Sequence, residues 1–127
     1  MRDVFCGHVL HRRINFIFME AGIFWISYDL SFGADYTGLY AWLDTVNAKE
    51  CGDSLATFHM EYDGDPIEKI KSGIEQFFKP TDRDRIYLVY VDEETQKHKG
   101  RFLYGRRKSS PWEGYAPQGN EIDEDVA

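Results

Sequence analysis

Hydrophobic and polar positions change their spacing several times along the chain, and each change marks an element boundary. Residues 23–30 hold Ile23, Phe24, Trp25, Ile26, Tyr28 and Leu30 around a single charge, Asp29. A run so rich in aromatic and β-branched side chains predicts a strand covered on both faces, at the centre of a sheet. Asp35 then caps a predicted helix whose positions Tyr36, Leu39, Tyr40, Leu43 and Val46 repeat as one buried face, with Asn47 as a left-handed stop. Residues 48–51 read as a short strand and Gly52-Asp53 as a turn. From 54 to 62, Ala56, Phe58, Met60 and Tyr62 alternate with Thr57, His59 and Glu61, the pattern of a strand with one covered face. His59 falls on the polar side and receives no catalytic role.

Asp65, Pro66 and Glu68 form a complete helix-start signal, opening a helix to about residue 78 that buries Ile67, Ile70, Ile74, Phe77 and Phe78 before Pro80 stops it. Residues 85–91 form a second apolar strand, and Asp92-Glu93-Glu94-Thr95 turns into a basic strand over 99–104. Residues 1–18 admit two readings. Arg13, Ile14, Phe16 and Phe18 fit an edge strand joined through Glu20-Ala21-Gly22 as a hairpin, or the segment is a poorly ordered extension before a natural start at Met19. Residues 19–105 are thus the expected domain, 106–117 a basic and aromatic segment, and 118–127 an acidic tail expected to be disordered.

The order strand, helix, short strand, strand, helix, strand predicts an α+β fold, a ferredoxin-like split βαβ sandwich. Two helices would lie on one face of an antiparallel sheet, with a C-terminal hairpin strand added. Trp25, Tyr87 and Tyr90 exceed what one helical layer absorbs, so a homodimer covering the other face is expected.

With 127 residues the chain suffices for one core, and no apolar run approaches the length of a bilayer span. No membrane partner is expected. Cys6 and Cys51 suggest no disulfide framework and no secretory leader is discernible, so a cytoplasmic setting is the expectation. Cys6, His8 and His11 lack a fourth ligand at a zinc spacing.

The net charge of −7 argues against indiscriminate coating of nucleic acid, yet the charge is segregated. Six basic residues and no acidic one lie between 97 and 108, whereas five acidic and no basic residues lie from 113 onward. Such a stripe suits a phosphate backbone, an acidic partner or the chain's own tail. Asp29 is the first candidate for chemistry, because a carboxylate closing a central strand must reach water, a cation or a metal. The plainer account is that it caps the following loop through the amides of Gly33 and Ala34.

Tyr28-Asp29-Leu30 at the end of the first strand, Ser54 opening the strand after the hairpin, and Asp82-Arg83-Asp84-Arg85-Ile86-Tyr87 leading into the last core strand carry a resemblance. Over residues 23–91 the chain resembles the small CRISPR-associated adaptation-complex subunit, a dimeric ferredoxin-fold protein first described as a metal-dependent nuclease. It is similar also to the virulence-associated protein D ribonucleases and to short SinR-like bacterial proteins. Ala56 replaces the bulky aromatic usual in that family.

The resemblance implies Asp29 as a metal ligand, its two copies facing each other across a dimer. The expected activity is then a homodimeric Mg²⁺-dependent phosphodiesterase acting on RNA or DNA. Asp29 would hold the metal, Tyr28 or Ser54 would orient substrate, Arg106, Arg107 and Lys108 would neutralise phosphates, and Trp112 or Tyr104 would stack on a base. The alternative is a non-enzymatic dimeric nucleic-acid- or protein-binding module of a defence or toxin-antitoxin system, working through Lys99, Arg101 and the segment from Arg106 to Tyr115. In that reading the segment either contacts ligand or packs across the partner's sheet. A third option, an acidic body that mimics nucleic acid, has only dispersed carboxylates behind it.

Overall fold

A computed structural model describes residues 12–14 and 17–117. Its elements run β1 (Arg12–Ile14), β2 (Ile17–Asp29), α1 (Tyr36–Thr45), β3 (Lys49–Glu50), β4 (Leu55–Tyr62), α2 (Pro66–Glu75), β5 (Arg85–Asp92) and β6 (Lys97–Tyr104). The protein is α+β, with every strand pairing antiparallel in the order β3-β4-β2-β5-β6 and β1 joined to the start of β2. Among the described residues no helix is long and apolar enough to cross a membrane.

Both helices start where the sequence places their caps. Asp35 accepts from the amide of Gly38, and Asp65 accepts from that of Ile67, each at 3.0 Å. These bonds satisfy amides that the first helical turn leaves open. Asp35 also accepts from the amide of Lys79 at 3.0 Å, tying the start of α1 to the exit of α2. Asn47 holds φ +58, the left-handed stop expected after α1.

One core joins the helices to alternate strand positions. Phe24 and Ile26 of β2, Ala56, Phe58 and Tyr62 of β4, and Ile86 and Leu88 of β5 are buried beneath Leu39, Trp42, Ile70 and Ile74. Phe58 stacks on Phe24 with centroids 5.4 Å apart and receives the edge of Trp42 at 5.3 Å. Gly73 makes this approach of α1 to α2 possible, since a Cβ there would lie 2.7 Å from the indole nitrogen of Trp42.

Several expectations are corrected. Among the described residues β2 is covered on one face only: Phe24 and Ile26 are buried, whereas Trp25 is half-buried, Ile23 is 44% exposed and Ser27 and Asp29 are also exposed. The helices supply a single layer, so no helix among the described residues covers Ile23, Ser27 and Asp29. Tyr90 is on the helical side, stacked 6.2 Å from Phe24, and does not add to the uncovered face. The buried stripe of α1 runs through Leu39, Trp42 and Leu43, leaving Tyr36 and Tyr40 exposed, and Phe77 lies outside while Phe78 is buried. Finally, Glu20-Ala21-Gly22 is continuous strand paired to Tyr62, Glu61 and Met60. The N-terminal pairing is Arg12 with Met19 and Ile14 with Ile17, so Met19 lies inside an element. Cys6, His8 and His11, and the expected disorder of 118–127, fall outside the described residues.

Candidate nucleic-acid interface

The carboxyl end of β2 and the amino end of β5 are register partners, with Asp29 opposite Arg85. They are held together from below by Asp84, whose buried carboxylate accepts from the amide and hydroxyl of Ser31, at 2.8 and 2.9 Å, and from the amide of Thr81 at 2.8 Å. Burial alone would raise the pKa of Asp84, but the bonds from Ser31 and Thr81 outweigh it and hold the carboxyl below its ordinary value. A loop after β2 and a loop before β5 are thereby pinned by one side chain. Above them Arg85 donates to Asp29 Oδ2 from Nη2 at 2.7 Å and from Nε at 3.2 Å.

After β6 the chain must turn back across this end of the sheet, and Gly105 permits it. Its φ is +77, and a Cβ there would lie 2.6 Å from Arg85 Cγ and 2.8 Å from the carbonyl of Asp84. Arg85 Nη1 then donates to the carbonyl of Arg106 at 3.4 Å. This turn sets the Arg107 guanidinium over two rings of the uncovered face, 5.7 Å from the centroid of Tyr87 and 5.6 Å from that of Phe102. The rings meet edge to face with centroids 4.7 Å apart. Tyr87 leans over Gly100, where a Cβ would strike its ring.

Two adjoining hollows share Arg85 and Arg107. One is lined by Ser27, Asp29, Tyr87 and Phe102, and the other by Asp82, Arg83, Gly105, Arg106 and Lys108. Arg83, Arg106, Arg107 and Lys108 are paired with no carboxylate among the described residues. The opposite end of the sheet is acidic, with Glu20, Asp63, Asp92 and Glu94 around a hollow floored by Tyr62 and Tyr90. Cationic and aromatic groups are thus gathered at one end, where a phosphate and a base face can be met side by side.

The expected site residues separate. Asp29, Arg106, Arg107 and Lys108 converge at the hollows. Tyr28 does not join them: it alternates with Asp29 and lies on the helical side, its ring 6.2 Å from Tyr40. Burial, and then a hydrogen bond with Tyr40, push its pKa up to about 12, so the phenol is neutral at physiological pH. Ser54 sits at φ +64 with its carbonyl accepting from the Tyr28 amide at 3.0 Å, and it lines neither hollow. Lys99 pairs with Asp92 at 3.5 Å toward the far end of β6, and Arg101 is exposed opposite Leu88. Trp112 is 71% exposed in the turn after the basic segment. Tyr104 packs against Phe78 beneath the sheet, with the Lys71 ammonium over its ring.

Among the described residues no group of three or more His, Cys, Asp or Glu side chains is placed to hold a metal ion. Within one chain Asp29 supplies a single carboxylate, already met by a guanidinium; a hard dication prefers several oxygens and is repelled by that charge. Arg85, Tyr87 and Phe102 were not singled out as site residues from sequence. Their signal was the period of two that sets Arg85 and Tyr87 on the face of Asp29, together with the glycine before the basic triplet. No family model matches the chain, nor does any curated protein or solved structure.

Proposed function

We infer that the chain is a non-catalytic module for single-stranded nucleic acid, built on a ferredoxin-like sandwich. The sheet order supports the architecture: α1 joins β2 to β3 with β4 between them, and α2 joins β4 to β5 with β2 between them. In this reading the two connections make a pair of interleaved split βαβ units, with β1 and β6 as additions.

The observation that carries the function is Arg107 lying over Tyr87 and Phe102 at the border of the hollow formed with Arg83, Arg106 and Lys108. The cations neutralise successive phosphates, and a base takes up the ring faces beside Arg107. Such binding tolerates sequence, because every base has a π face. The test is fluorescence anisotropy of a labelled oligothymidylate across a salt series. The affinity falls with salt, and the Arg106→Ala/Arg107→Ala/Lys108→Ala variant binds weakly with its log–log slope reduced by about 2. Unchanged binding by that variant removes the assignment.

One observation favours a second reading, the homodimeric Mg²⁺-dependent phosphodiesterase. The Asp29 side chain is 62% exposed and engaged through Oδ2 alone among the described residues. A second copy pressed on the uncovered face would have to bring its own Asp29 near. Sedimentation and thermal melting separate the readings: the enzyme requires a dimer whose melting temperature rises with Mg²⁺ in the wild type and not in Asp29→Ala. A monomer indifferent to Mg²⁺ that cuts no RNA or DNA sinks it.

A further inference from the structure

We propose that the acidic segment holding Glu121, Asp123, Glu124 and Asp125 occupies the basic hollow of its own chain and competes there with external polyanions. The inference rests on reading that hollow as the phosphate site. Its cations Arg83, Arg106 and Lys108 are exposed and unmatched by carboxylates among the described residues, apart from Asp82 on the rim. The segment from 118 to 127 carries four acidic residues and no basic one, and it begins ten residues after Lys108. A tether of that length spans at most about 35 Å when extended, so the carboxylates stay within reach of the hollow. The intervening chain also folds back on itself, with Glu113 donating to the carbonyl of Ser110 and Tyr115 to that of Trp112 at 3.0 Å each.

A tether of this length holds its charges at an effective concentration of roughly millimolar. A tail that binds its hollow with a dissociation constant near 100 µM would then weaken every competing polyanion by about tenfold. The other occupants of the hollow are the tail of a second copy or none.

The experiment compares the full wild-type chain with its Glu121→Gln/Asp123→Asn/Glu124→Gln/Asp125→Asn variant. Two probes are titrated, inorganic polyphosphate and a labelled oligothymidylate, with a synthetic peptide of residues 118–127 as competitor. The variant binds polyphosphate about tenfold more tightly at low salt, the gap closes by about 0.5 M salt, and the peptide displaces the probe from the variant. The gap is the same at every protein concentration, as an intramolecular contact demands. Equal affinities in the two chains overturn the proposal, and so does a gap that widens with protein concentration, which assigns the tail to a second copy. If polyphosphate shows the gap while neither chain binds oligothymidylate, the tail contact stands and the nucleic-acid reading falls. If neither chain binds either probe, both fall.

Discussion

Arg85 grips Asp29 by one oxygen, with Nη2 and Nε at 2.7 and 3.2 Å from Oδ2, and in doing so brings a carboxylate to the edge of a cationic hollow. A nucleic acid approaching Arg85 therefore meets a negative charge beside it. In Asp29→Asn, binding of an oligonucleotide tightens by about two- to fivefold, while stability in urea changes by no more than about 1 kcal/mol because the Asp29 carboxylate is largely exposed. The phosphodiesterase reading requires the opposite, loss of activity with this substitution, so one variant weighs the two readings.

The buried carboxylate of Asp84 differs from Asp29 in kind. Replacement by Ala leaves the Ser31 and Thr81 amides without their acceptor and costs about 2–4 kcal/mol in urea unfolding.

Asp84 also fixes a pH dependence. Its folded pKa lies below its unfolded value, so its contribution is fully present above the unfolded pKa and is lost as the pH falls through the folded one. Melting temperature measured downward from about pH 5 falls in the wild type, and the fall is shallower in Asp84→Asn.

Tyr28 acts at the other end of the pH scale. With a folded pKa of about 12 against 10.0 ordinarily, its contribution is complete below pH 10.0 and disappears as the pH rises through about 12. Tyr28→Phe flattens the alkaline limb of a melting profile and leaves oligonucleotide binding at neutral pH unchanged, since the ring lies under the sheet, away from the hollows.

Gly105→Ala introduces a side chain at φ +77 against Arg85 Cγ and the Asp84 carbonyl. The strained turn costs about 1–3 kcal/mol, and by moving Arg107 off its rings it weakens oligonucleotide binding as well. Chemical denaturation and anisotropy measured on one preparation report both losses.

Local signals in the sequence carried much of the fold and little of the site. Asp35, Asp65 and Asn47 act on amides or backbone angles within a few residues, so their roles are written in their immediate neighbours. The choice of Trp42 over Tyr40 for the buried stripe was not, because both satisfy a helical repeat and only the approach of Gly73 decides between them. Asp29 and Arg85 lie 56 positions apart, and a charged pair at that separation leaves no periodic trace. Asp84 sits in a run of alternating charges that reads as solvated loop, whereas its burial depends on Ser31 from a distant turn.

Strands β2 and β5 set Phe24, Ile26, Tyr28, Ile86, Leu88 and Tyr90 under the helices and Ser27, Asp29, Arg85 and Tyr87 on the other side. On the proposed function, stability and recognition are therefore written on interleaved letters of the same two words. A change in ligand preference at Ser27, Asp29 or Tyr87 need not disturb Ile26, Tyr28 or Leu88, so this surface is free to diverge while the fold beneath it stays constant.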